Sequence, residues 1–157
     1  MIKMAKVSFL AALGLVLSCY AVYVEHKHSN ETESDQPFKA LCDIDQIGAS
    51  CSAVFAMPQG KLLSYFNIVP HDHVLDVPNA VLGILYYALI LINEAIINFP
   101  SFLIKFASTS AMSSSIYLAV VLTSLKELCI LCWTTHVINT LLLYTILTRN
   151  TLKTKTS

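Results

Sequence analysis

Leu128-Cys129-Ile130-Leu131-Cys132-Trp133-Thr134-Thr135-His136-Val137-Ile138-Asn139 opens an apolar run that ends near Leu147. A helix needs about 20 mostly apolar residues to cross a bilayer, and this run has that length. Cys129 stands where such a helix begins. Cys132 comes one turn later, roughly 4.5 Å further along the axis at 1.5 Å per residue. Two cysteines so spaced share a face and can close a disulfide across the first turn. The partial positive charge of a helix N-terminus favours a thiolate there. The shallower sulfur can meet a partner from a loop, and the deeper one a substrate dissolved in the bilayer.

The rest of the chain fits the same solvent. Hydrophobic residues make up 55% and charged residues 13%, against about 25% charged in ordinary soluble domains. Mean hydropathy is +0.64. Three further apolar runs cover about 7–24, 79–97 and 102–125, so the predicted spans are these and 128–147. The first run follows Lys3 and Lys6, as a signal peptide would, but it stays apolar through Tyr23 and Val24 and reads as an uncleaved span. Asn93 and Glu94 suit the far membrane boundary, and Pro100 punctuates a short connection. The third run begins rich in Ser, Ala and Thr, which lets helices pack closely in lipid. The expected fold is an all-α integral membrane protein. It is one domain over 1–157, a four-transmembrane-helix bundle capped by the loop 25–78. Formal net charge is zero and no long basic stretch occurs, so nucleic-acid binding has no electrostatic footprint.

Charge placement orients the bundle. Lys3, Lys6, Lys105, Arg149, Lys153 and Lys155 fall on one side of a four-span topology. The loop 25–78 and Lys126-Glu127 fall on the other. Cytoplasmic segments favour Lys and Arg, so both termini are expected in the cytoplasm and the long loop in the lumen or exterior. The sequon Asn30-Glu31-Thr32 lies on that outer side, close to the first span. Within the loop, Leu62 to Val69 is short and apolar and suits a small helix lying against the membrane.

This topology brings Cys42 and Cys51 of the loop to the same side as Cys129 and Cys132. A two-stage relay follows: loop pair, helix pair, lipid substrate. Two other readings use the same residues. A four-cysteine zinc site prefers Cys-x2-4-Cys halves, and Cys42 to Cys51 is wider. Two structural disulfides would clamp the loop to the bundle without chemistry. Cys19, inside the first span, reads as a small buried hydrophobe. His136 shares a stripe with Cys129, Cys132, Asn139 or Thr140, and Leu143. A histidine in a membrane helix needs a site or an interhelical partner. It can hydrogen-bond or protonate a substrate oxygen, or it can bond a neighbouring helix. Trp133 reads as an interfacial anchor. His71-Asp72-His73 reads as a solvated loop rather than a metal site. Asn79 follows Pro78 and is expected to cap the second span at the membrane boundary.

The chain resembles the vitamin K epoxide reductase family. The matching stretches are Leu17 to Ala21, Ala40 to Asp43, Ser50 to Ser52 with Val54-Phe55, Asn79 to Tyr87, and Ser115 to Ala119. The best is Cys129 to Cys132 followed by Thr134-Thr135 and Ile138-Asn139. Together they run from about Leu13 to Leu147. The resemblance implies a multi-pass protein of the endoplasmic reticulum membrane, monomeric, with a lumenal cap over its site. It implies reduction of vitamin K 2,3-epoxide to the quinone and of the quinone to the hydroquinone, with no tightly bound cofactor. The residue at Cys132 attacks the substrate. The one at Cys129 resolves the adduct and exchanges with the one at Cys51. The one at Cys42 completes the loop relay, drawing electrons from thioredoxin-like lumenal oxidoreductases. Asn79 bonds the naphthoquinone headgroup, and Val54, Phe55, Leu82, Tyr86 and Leu118 line its pocket. His136 stands where animal members usually have a tyrosine that touches substrate and coumarin-type inhibitors such as warfarin. Ala56-Met57-Pro58-Gln59-Gly60 also departs from the family, and Cys42 to Cys51 is one residue longer than in vertebrates. An alternative activity is quinone-coupled oxidation of lumenal protein thiols, with little epoxide reduction.

Overall fold

Prolines set two helix starts. In a computed structural model, which describes residues 2–29, 40, 42–43, 51, 54, 60–70, 76–126 and 128–155, Pro78 and Pro100 are the N-cap residues of two helices, each with φ −54. A proline has no N–H to leave unpaired, and its fixed φ prepares the first turn. The described helices are α1 (Ile2–Ser29), α2 (Leu62–Tyr65), α3 (Asn79–Ala95), α4 (Ser101–Leu125) and α5 (Ile130–Lys155). Lys126 ends α4 in the left-handed region, φ 58 and ψ 25, and its N–H returns to the carbonyls of Leu122 and Thr123. That reversal places α5 a few residues on. At the opposite end of the bundle, Asn93 accepts a hydrogen bond from the Phe99 N–H at 3.0 Å, tying the α3 end to the connection before α4.

No strand occurs among the described residues. Three helices are long and apolar enough to cross a membrane: Ala5–Lys27 within α1, Ser101–Leu125, and Ile130–Thr148 within α5. The fourth apolar helix, α3, has 17 residues, about 25 Å at 1.5 Å per residue. It stops at Ala95 rather than reaching 97. α1 runs past its apolar span at both ends and α5 past the C-terminal end of its own, because the polar residues flanking those spans continue the hydrogen-bonded turn.

α1 packs along α3 and α5, and α4 packs mainly on α5. One core cluster joins Val7, Ala11, Tyr87, Ile90, Leu142 and Ile146. A second gathers Ala21, Val24, Cys51, Leu122, Cys129 and Leu131 at the other end. Large apolar side chains also point outward from every long helix: Phe9, Val16, Leu85, Phe106, Val120 and Tyr144 are all more than half exposed. Helices that are apolar on both faces belong in lipid, where the outer face costs nothing. Cys19 lies on this outer surface, which corrects its reading as a buried residue. α1 and α3 approach closely at two glycines. Gly14 lies against the Tyr87 ring, and a Cβ added at Gly83 would come within 2.8 Å of Ser18 Oγ.

Asn79 has a different task from the one expected. Pro78 holds the cap position of α3, and no side chain bonds there. The Asn79 Oδ1 instead accepts the Leu62 N–H at 2.9 Å, capping α2. A one-turn helix has no ladder of its own to sustain it, so an outside acceptor matters more for α2 than for α3.

Candidate functional site

The first turn of α5 is built around Cys129. Its carbonyl accepts the Trp133 N–H at 3.0 Å, so Cys129 is the N-cap residue. Its Sγ accepts the Cys132 N–H at 3.2 Å. That is the place where a serine or aspartate oxygen usually satisfies the third amide of a helix. The same amide and the helix dipole would hold charge on this sulfur after its disulfide opens. Cys129 and Cys132 are disulfide-bonded, with Cα atoms 5.2 Å apart. Cys42 and Cys51 form the second disulfide, with Cα atoms 5.9 Å apart. Cys51 and Cys129 are both fully buried, and their sulfurs lie 3.6 Å apart. The two disulfides are therefore in van der Waals contact through one sulfur of each.

Donor atoms of Cys42, Asp43 and Cys51 cluster within 4.8 Å. Both sulfurs are committed to a disulfide in this state, and a disulfide sulfur is not the thiolate a metal requires.

Behind the helix pair lies a cavity of about 150 Å³. The α5 wall is Leu131 with Cys132, Thr135, His136 and Asn139, the last four spaced to share one face. Cys129 is not on it. Opposite stand Asn79, Ala80, Gly83 and Tyr87 of α3, with Leu118 and Ser115 of α4 and Val54 and Gly60 of the loop. α1 contributes Ser18, Ala21 and Glu25.

The cavity carries a polar chain. The Tyr87 hydroxyl donates to Asn139 Oδ1 at 2.8 Å, and Asn139 Nδ2 donates to Ser115 Oγ at 2.7 Å. Asn139, not Thr140, is the inward member of the α5 stripe. Thr140 is exposed and bonds the His136 carbonyl of its own helix at 2.9 Å. His136 has both ring nitrogens buried, and neither has a hydrogen-bond partner among the described residues. Its ring sits edge-on to Trp133, centroids 6.0 Å apart. The interhelical bond considered for this histidine is not formed there, and the imidazole borders the cavity.

Of the residues singled out from sequence, Val54, Asn79, Leu118, Cys132 and His136 border the cavity. Cys42, Cys51 and Cys129 form the sulfur chain leading to it. Leu82 and Tyr86 do not border it. They are one residue off the inward positions Gly83 and Tyr87, a rotation of about 100° on a helix. The Tyr86 hydroxyl donates instead to Ser108 Oγ at 3.2 Å. Phe55, the His71-Asp72-His73 run and the Asn30 sequon lie outside the described residues. The α1 wall was missed. Its signal was available: Ser18, Ala21 and Glu25 are small or polar at helical spacing in an otherwise apolar run.

Comparison with known proteins gives the same frame. The model of the vitamin K epoxide reductase family matches residues 6–147. Vitamin K epoxide reductase complex subunit 1 of Mus musculus is 35% identical over 136 residues, covering 83% of this chain and 80% of that protein. The Rattus norvegicus protein of the same name is 32% identical over 136 residues, with the same coverage. The matched region contains both disulfides and all the described walls of the cavity.

Proposed function

The chain belongs to the vitamin K epoxide reductase family, and from that premise we propose that it reduces vitamin K 2,3-epoxide and vitamin K quinone with electrons from lumenal dithiols. The observation that carries this reading is a division of labour. Cys132 borders the cavity, while its disulfide partner Cys129 sits 3.6 Å from Cys51.

The proposed setting is the endoplasmic reticulum membrane, with four spans, α3 included, and both termini in the cytoplasm. The proposed cycle starts when a thioredoxin-like dithiol reduces Cys42–Cys51 by exchange. The Cys51 thiolate attacks Cys129 Sγ, the Cys129–Cys132 bond breaks, and Cys132 leaves as a thiolate facing the cavity. Cys42 then attacks Cys51 and frees Cys129. Cys132 adds to a ring carbon of the substrate, moving an electron pair onto the quinone oxygen or, with the epoxide, breaking that carbon's C–O bond to leave a hydroxyl on its neighbour. Cys129 attacks Cys132 Sγ, restoring the helix disulfide and leaving the electron pair on the ring. From the quinone, the two thiol protons end on the oxygens of the hydroquinone. From the epoxide, they leave with the ring oxygen as water.

Asn79 and His136 are proposed to bond the headgroup oxygens, with Val54 and Leu118 against its ring. The unpartnered ring nitrogens of His136 support that role. An apolar cavity of roughly this size accommodates benzene, so one ring of a naphthoquinone fills it and the remainder lies toward its opening. Coumarin-type inhibitors would compete for the same space.

The test is product formation from vitamin K epoxide by the purified protein in detergent with a dithiol reductant, wild type beside Cys132→Ala. Conversion by wild type and none by the variant is expected. A wild type that reduces the quinone but spares the epoxide would shift the reading to quinone-coupled thiol oxidation. A folded protein that reduces neither would leave two structural disulfides.

A further inference from the structure

Exchange between two disulfides demands that one sulfur of each be held in contact. On the helix side the first turn of α5 does this. On the loop side, a nine-residue separation joins Cys42 to Cys51, and the disulfide alone does not aim Cys51 at a third sulfur. Fixing loop backbone costs about 1–2 kcal/mol of conformational entropy per residue. Something must offset that cost where Cys51 meets Cys129.

Asp43 is placed to do so. Its Oδ2 accepts the Ala40 N–H at 3.0 Å. Its Oδ1 accepts the Cys51 N–H. One carboxylate thus gathers amides from before Cys42 and from Cys51 itself. The Asp43 N–H bonds the Ala40 carbonyl at 2.9 Å, closing a turn that fixes the carboxylate in place. Bonds to an ionised acceptor are roughly twice as strong as neutral ones. The fork also needs two acceptor oxygens, and an asparagine side chain offers one.

We propose that Asp43 is the positioning residue of the electron relay, a carboxylate fork that holds Cys51 Sγ against Cys129 Sγ. The proposal rests on the relay reading above. Its proposed effect on the relay runs through the Cys51 amide that it holds.

Two measurements test it. In a Cys19→Ala, Cys42→Ser, Cys132→Ser background, Cys51 and Cys129 are the remaining thiols. Their disulfide, titrated against glutathione, reports their effective concentration for each other. Adding Asp43→Ala is expected to lower it tenfold or more. Asp43→Asn, which keeps one of two acceptors, should fall between. No substrate enters, so this readout is independent of whether any quinone is reduced. In the otherwise intact chain, turnover with a thioredoxin-like protein donor is compared with turnover on a small dithiol that can reach Cys129–Cys132 directly. For Asp43→Ala the ratio of the two should fall tenfold or more. An unchanged effective concentration, or equal loss with both donors, would overturn the assignment.

Discussion

The two disulfides are held by different means. Cys129–Cys132 spans three residues of one helix, and its geometry comes with the turn: the Cys132 N–H on Cys129 Sγ at 3.2 Å is a local bond. Cys42–Cys51 spans nine residues of loop and owes its placement to side-chain bonds and burial against the bundle. A pair fixed by a helix suits the task of facing a small cavity in one geometry. A pair held by a loop can exchange with a partner outside and with a sulfur inside.

The largest expected effect breaks that division directly. Cys129→Ala removes the sulfur shared by both stages, and turnover should fall 100-fold or more with either a protein donor or a small dithiol. Cys51→Ala removes only the loop stage. Its loss should be as large with the protein donor and much smaller with the small dithiol. Rates of hydroquinone or quinone formation with each donor decide it. Equal loss for Cys51→Ala with both donors would mean that the loop pair serves the helix pair in more than electron delivery.

The bundle and the meeting of the four cysteines were legible because hydropathy, prolines and charge asymmetry are written along the chain. Rotation about each helix axis was not. A helix that is apolar all round gives no signal for which face turns inward, so adjacent Tyr86 and Tyr87 were indistinguishable, and Cys19 was placed inside when it is outside. What selects Tyr87 is a partner 73 positions away: Gly14, against which its ring lies. Asn79 was misread for a similar reason, since its bond to Leu62 joins residues 17 apart. Tertiary contacts of that range leave no local pattern.

Gly14→Val places branched carbon where the Tyr87 ring lies, and Tyr87 is 2% exposed, with little room to move. Overpacking of this kind costs about 1–3 kcal/mol. It should lower the thermal midpoint in detergent, and it should disturb the cavity through the Tyr87–Asn139 bond. A Tyr87→Phe background lacks the hydroxyl but keeps the ring. If Gly14→Val is equally costly there, the clash is with the ring and not with the hydrogen bond.

The smallest effect concerns Asn79, where the loop and the bundle meet. Asn79→Ala deprives the Leu62 N–H of its acceptor, and losing a cap costs about 0.5–2 kcal/mol. Because α2 is a single turn, the loss should appear as faster amide exchange confined to residues 60–70, with little change in the overall midpoint. The same side chain borders the cavity, so turnover would fall for a second reason. Asn79→Asp separates the two. A carboxylate oxygen can still accept from Leu62, which should restore slow exchange in α2, but it has no N–H to offer a quinone oxygen. Restored exchange with turnover still lost would give Asn79 both tasks, one toward the loop and one toward the substrate. Restored turnover would mean that its contribution runs through α2 alone, and that His136 meets the headgroup without it.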